Sequence, residues 1–235
     1  MEQFLIDWEG PVLLWIQEHM RNDFLTPVLT FLTHLGDHGY FWIALTILFL
    51  LLKKTRKVGG LMTCSLLLNT LVNNVLLKNL VARTRPYEVV DGLHRIIEAQ
   101  SDYSFPSGHT GSAFAVAVVV FLMCPRKIGV PVLAFAFVIA FSRLYVGVHF
   151  PTDVLGGALI GAVIAYLVCA VYRRKTGQKG AKNFPFAPAF PKGKFEGLNN
   201  AASIENTGVF QSFISLLIRG IYKNNYCKKT RFAGK

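Results

Sequence analysis

Apolar residues run along this chain in blocks too continuous for the half-buried helices of a soluble domain. Residues 25–52 are almost wholly apolar, but Gly36-Asp37-His38-Gly39 interrupts them. Residues 40–52 alone are too few to cross roughly 30 Å of hydrocarbon at about 1.5 Å per residue. The first span is therefore expected to start near Leu35, with Asp37 and His38 at one interface and Lys53 and Lys54 at the other. Residues 25–34 then read as re-entrant or interfacial. Further spans are expected over residues 58–81, 108–123, 128–146 and 152–172. Near the N-terminus, Phe4, Leu5, Trp8, Val12, Trp15 and Ile16 recur at helical spacing. Residues 3–20 thus predict an amphipathic helix lying on the interface, its tryptophans at headgroup level. The expected fold is all-α: a polytopic membrane helical bundle of five transmembrane helices, six on the alternative count, with an N-terminal interfacial helix.

Composition agrees with this reading. The chain is 52% hydrophobic and 16% charged, against about a quarter charged in soluble domains. The first 20 residues carry Glu2, Asp7, Glu9 and Glu18 and no Lys or Arg, so they do not read as a secretory signal. Cys64, Cys124 and Cys169 lie in apolar stretches and Cys227 in the tail. Their spacing suggests neither a metal site nor a disulfide framework, and they read as small buried hydrophobes.

Charge supplies direction. Lys53, Lys54, Arg56 and Lys57 join the first two spans, Arg126 and Lys127 the third and fourth, and Arg173, Arg174 and Lys175 follow the fifth. If the spans alternate, all three clusters share one side, which the positive-inside rule makes cytoplasmic. The 83–105 loop and the 147–151 turn then lie outside. Two domains follow: a membrane-embedded domain over 1–175 and a basic cytoplasmic tail over 176–235. From residue 173 onward, 13 Lys and Arg face only Glu196 and Glu205, nearly the whole formal +12 of the chain. The expected partner of that charge is anionic lipid of the cytoplasmic leaflet, worth roughly 1 kcal/mol per basic residue, rather than nucleic acid. Residues 183–197 read as a linker and 209–222 as a short interfacial helix.

Three segments at the outer ends of spans carry the chemistry: KNLVARTRP from Lys78 to Pro86, PSGH from Pro106 to His109, and SRLYVGVHFPTD from Ser142 to Asp153. Lys78 and Arg85 lie two helical turns apart, and Pro86 forces Arg85 out of helical geometry so that it can fold back. Lys78 alone would read as a snorkelling lysine, and Arg83 reads so here. Ser107 suits a helix N-cap and Gly108 permits close approach to the backbone, at a helix start that is itself an anion site. Arg143 adds a bidentate donor for phosphate. Asp153 follows His149 by four residues and can hold one ring nitrogen, leaving the other free to attack. Asp37 and His38 read as an interfacial turn. The charges of the 88–102 loop, Glu88, Asp91, His94, Arg95, Glu98 and Asp102, read as solvated.

Together the segments resemble the signature of the type 2 phosphatidic acid phosphatase superfamily, K-x6-RP, PSGH and SR-x5-H-x3-D, with every position matched. The resemblance covers about residues 20–175. It implies an integral-membrane lipid phosphatase working through a phosphohistidine, with no metal and no cofactor. His149 would be the nucleophile, Asp153 its holder, and His109 the acid and then the base. Lys78, Arg85, Arg143, Ser107 and the Gly108 N–H would hold phosphate oxygens, a task metal ions perform in other phosphatases. Undecaprenyl pyrophosphate leads as substrate, followed by phosphatidylglycerophosphate and phosphatidate. The expected location is the plasma membrane, multi-pass, with the site on the extracytoplasmic face. Halide oxidation with vanadate and a non-enzymatic lipid-binding or transport role are the competing readings.

Overall fold

A computed structural model describes residues 2–176, and among these every regular element is helical. The tail helix expected over 209–222 and the linker over 183–197 lie outside the described residues. Residues Met1–Cys169 form one compact unit; a second begins at Ala170, within the last helix.

The order is α1 (Glu2–Met20), α2 (Leu25–Leu35), a 3-10 turn (Asp37–Gly39), α3 (Tyr40–Leu51), α4 (Arg56–Asn69), a π-helical stretch (Thr70–Leu77), α5 (Lys78–Val81), α6 (Pro86–Val89), α7 (Gly108–Met123), α8 (Arg126–Tyr145) and α9 (Pro151–Thr176). Helix α7 is the axis of the unit. Its Ala113, Ala115, Val116, Ala117, Val119 and Val120 are fully buried. Small side chains let α4 and α8 pack directly on it, the device by which helices associate where water cannot drive them. Leucines such as Leu48, Leu67, Leu76, Leu155 and Leu159 point outward, where hydrocarbon would meet them.

Three stretches are long and apolar enough to cross a membrane: Arg56–Val89, Arg126–Tyr145 and Pro151–Thr176. A fourth crossing is counted if α2 and the Asp37–Leu51 stretch, bent by 49° at Gly36, form one broken span. At 16 residues α7 is apolar but short. The protein is thus a multi-pass helical membrane protein.

In α1, Trp8, Val12 and Trp15 form the exposed face, while Glu9, Leu13 and Ile16, at the same helical spacing, are buried. Leu13 packs with Leu93 and Phe150, and Ile16 with Ile97, Tyr145 and Val148. Arg21 then ties the end of α1 to two main-chain oxygens, of Tyr145 at 3.1 Å and His94 at 2.6 Å. So α1 lies under the loops that carry the second and third motifs.

Candidate active site

The motif residues meet because the helices alternate in direction. Helices α3, α7 and α9 start at one end of the bundle, where the stretch Arg56–Val81 and α8 finish. A cavity of about 780 Å³ opens there, lined by Lys78, Arg85, Gly108, His109, Arg143 and His149, together with Asp37 and Asp102. Ser107 and Asp153 are fully buried behind it.

Arg85 adopts extended backbone angles, φ −82 and ψ 151, as the residue before Pro86 should. This turns its guanidinium back: Nη1 donates to the Val148 carbonyl at 2.8 Å and Nε to that of Asp102 at 2.8 Å. Lys78 arrives from α5, after the π-helical stretch. Arg143, fully buried on the last turn of α8, donates from Nη1 to Thr33 Oγ1 at 2.7 Å. Its Nε and Nη2 have no hydrogen-bond partner. A buried guanidinium with two unused donors at a cavity wall is costly unless an anion accepts from them.

The Ser107 hydroxyl caps α7, accepting from Thr110 N at 3.4 Å and Thr110 Oγ1 at 3.0 Å. Capping turns it away from the cavity, so of the expected phosphate holders Gly108 borders the space and Ser107 does not. Ser107 N donates to the main-chain oxygen of Asp153 at 3.0 Å, joining the second motif to the third.

Asp153 stands at the first turn of α9, and its Oδ2 is 3.5 Å from His149 Nδ1. That is an ionic approach longer than a hydrogen bond. Oδ2 also accepts from Ser104 Oγ at 2.5 Å and Phe150 N at 2.8 Å, and Oδ1 from Arg83 Nη1 at 2.8 Å. Ring geometry leaves His149 Nε2 as the nitrogen turned from Asp153. Gly147, at φ +78, makes the turn that presents this histidine. Burial above all, then the charges of Arg85, Arg143 and Lys78, holds His149 well below the usual histidine range, so the ring is neutral at physiological pH.

Four charged residues prove closer to the chemistry than their sequence reading. Arg83, read as a snorkelling cation, is buried: it pairs with Asp153 and, from Nη2 at 2.6 Å, with Glu9. Glu9 also accepts from Thr152 N at 2.6 Å. Asp37, read as part of an interfacial turn, accepts from His109 Nε2 at 2.8 Å and from His34 Nδ1 at 2.8 Å. Gly36 makes room for this, since a Cβ there would stand 2.7 Å from His109 Cδ2. Asp102, read as solvated, pairs with both Lys78 and Arg85. Burial works to raise its pKa, but the Lys78 hydrogen bond and the charges of Lys78 and Arg85 outweigh that and bring it to about 2. For Asp37 the signal available in the sequence was an acidic residue interrupting an apolar stretch, which is functional by default. Among the described residues no cluster of three or more His, Cys, Asp or Glu is arranged to hold a metal.

Comparison with known proteins places this geometry. The chain is 34% identical over 143 residues to an undecaprenyl-diphosphatase of Sulfolobus acidocaldarius, covering 61% of this chain and 68% of the relative. It is 33% identical over 151 residues to the undecaprenyl-diphosphatase BcrC of Bacillus subtilis, covering 63% and 75%. Phosphatidylglycerophosphatase B of Bacillus subtilis is 34% identical over 162 residues, covering 63% and 76%. Among solved structures, a transmembrane PAP2-type phosphatidylglycerolphosphate phosphatase from Bacillus subtilis superposes with a TM-score of 0.60 at 28% identity, covering 72% of this chain and 86% of that one. The family model of the PAP2 superfamily matches residues 57–177, a stretch that contains Lys78, His109, His149 and Asp153, and the chain belongs to that superfamily.

Proposed function

We propose that the protein hydrolyses the terminal phosphate of a lipid pyrophosphate or phosphomonoester, with undecaprenyl pyrophosphate as its first substrate. The observation that carries the reading is the convergence of three buried cations, Lys78, Arg85 and Arg143, on one cavity with the His149 ring. Membership of a phosphatase family supports the reaction class. The names of two relatives, both undecaprenyl-diphosphatases, support the substrate.

His149 Nε2 attacks phosphorus, forming an N–P bond as the bond to the leaving oxygen breaks. His109 gives that oxygen a proton. It then takes one from water, which attacks the phosphohistidine and releases inorganic phosphate. Asp153 holds the His149 ring and stabilises the positive charge it gains. Lys78, Arg85 and Arg143 stabilise charge on the phosphoryl oxygens, with the Gly108 N–H at the positive end of α7. Ser107 acts by capping that helix. This set performs the electrostatic work of a divalent ion, so the reaction proceeds in chelator.

Five crossings fit the chain best: the bent α2–α3 pair, Arg56–Val81, α7, α8 and α9. Helix α1 rests at the outer interface, the site opens outward, and the basic tail from residue 176 meets anionic lipid on the cytoplasmic side. The test is phosphate release by purified protein in detergent with EDTA. Undecaprenyl pyrophosphate, phosphatidylglycerophosphate and phosphatidate are compared, with His149→Ala as control. Release abolished by the substitution and fastest from undecaprenyl pyrophosphate is expected. Preference for phosphatidylglycerophosphate, the substrate class named for the superposed structure, would replace the lipid and keep the chemistry.

A further inference from the structure

Asp102, in the loop between α6 and α7, stands on two of the cations that phosphate needs. Its Oδ1 accepts from Arg85 Nη2 at 2.6 Å and its Oδ2 from Lys78 Nζ. The two cations are fixed in place, their side chains 7% and 4% exposed, whereas the Asp102 side chain is 53% exposed. The carboxylate can therefore leave for solvent while Lys78 and Arg85 stay. The same three residues line both the large cavity and a neighbouring one of about 490 Å³, which Glu88 and Tyr103 border and the two histidines do not. Asp102 is thus part of the wall between the two spaces. Across the larger one, Arg143 keeps two unused donors.

We propose that Asp102 is a specificity-determining residue, an internal anion that only a doubly charged terminal phosphate displaces. This rests on the function proposed above. Carboxylate and phosphate oxygens are both acceptors, and the arginine fork takes either. Exchanging the Asp102 carboxylate for a phosphodiester swaps one single negative charge for another and gains nothing. Exchanging it for a terminal phosphate brings a second charge to Lys78, Arg85 and Arg143, which offsets the loss of the Asp102 pair. The distinction matters at a membrane face, where phosphodiester headgroups surround the site in large excess over any phosphomonoester. Neutralising Asp102 removes the competitor, so every phosphate binds more tightly and diesters enter.

The experiment uses the full-length protein in detergent at about pH 8, where orthophosphate is a dianion. Binding of orthophosphate and of dimethyl phosphate is followed by calorimetry for wild type, Asp102→Asn and Asp102→Ser. Phosphatidylglycerol is added to the activity assay as a competing diester. Wild type is expected to bind orthophosphate and to ignore dimethyl phosphate. Both variants are expected to bind orthophosphate about fivefold tighter, the scale of one exposed ion pair, to bind dimethyl phosphate, and to be inhibited by phosphatidylglycerol. Weaker orthophosphate binding by the variants would overturn the proposal, because Asp102 would then be positioning the cations rather than competing for them. Unchanged binding and unchanged diester exclusion would overturn it too. Either result leaves the phosphatase reading standing if wild type releases phosphate. No phosphate release and no anion binding by any of the three would remove both.

Discussion

Arg83 Nη1 lies 2.8 Å from Asp153 Oδ1, so an arginine at an unspecified position of the first signature segment holds the carboxylate that faces the His149 ring. The same guanidinium donates to Thr152 Oγ1 at 2.7 Å, pairs with Glu9 and covers the Phe150 ring with its Cζ 4.0 Å from the centroid. Glu9 thereby connects α1 to the first turn of α9. One buried cation serves two buried carboxylates, so removing Arg83 leaves both without their counter-ion, whereas removing Glu9 leaves the Arg83–Asp153 pair intact.

Arg83→Ala should therefore cost about 3–5 kcal/mol of stability, the usual penalty for breaking a buried ion pair. Glu9→Gln should cost less, since Arg83 keeps Asp153. Thermal unfolding in detergent gives the order. Phosphate release at a temperature where both variants are folded should still be reduced, because Asp153 loses a partner that fixes it. A variant as stable and as active as wild type would mean that Ser104 and the Phe150 N–H suffice to hold Asp153.

The contact between Asp37 and His109 makes a prediction about the leaving group. An oriented ring matters most when the departing oxygen needs a proton. Asp37→Asn should lower turnover of a lipid phosphate by about tenfold, short of the roughly 10²–10⁴-fold typical of general acid–base catalysis itself. The loss should shrink for p-nitrophenyl phosphate, whose leaving group departs as a stable anion. Equal losses on both substrates would assign Asp37 a purely structural part.

Acid stability follows from Asp102. Its folded pKa of about 2 lies below the unfolded carboxylate value near 3.9. A depressed pKa means that the folded state favours the ionised form. The stabilisation is complete above the unfolded value and is lost as pH falls from about 4 to about 2. The side chain is half exposed, so the effect is small. Unfolding temperature measured across that window should fall less steeply in Asp102→Asn than in wild type. Parallel curves would show that the pair adds nothing in solution.

The helices and the three motifs were legible in the sequence because long apolar blocks and a spaced signature are local features. The partners of the motif residues were not. Glu9 and Arg83 are 74 positions apart, and Asp37 and His109 are 72 apart, so nothing nearby marks them as pairs. The inner face of α1 was not legible either, because its strongest hydrophobic signal, the tryptophans, is on the exposed face while Glu9 turns in beside Leu13 and Ile16. The π-helical stretch Thr70–Leu77 is likewise invisible to a 3.6-residue pattern. It carries Asn73, whose Nδ2 reaches the Ser107 carbonyl at 3.4 Å, and delivers Lys78 to the cavity.

The last prediction concerns the approach of α9 to α7. A Cβ on Gly157 would stand 2.5 Å from the Ser107 carbonyl, and one on Gly161 2.4 Å from the Gly111 carbonyl. The obstacles are backbone atoms and cannot rotate away. Small residues four apart let two helices touch in this way. Gly161→Ala should cost about 1–3 kcal/mol through overpacking, seen as a lower unfolding temperature with KM little changed. Gly157→Ala should do the same and in addition lower kcat. The displaced Ser107 caps the helix that presents His109, and its amide is bonded to Asp153. If the two substitutions proved equal in kcat as well as in stability, the Ser107 contact would be packing alone.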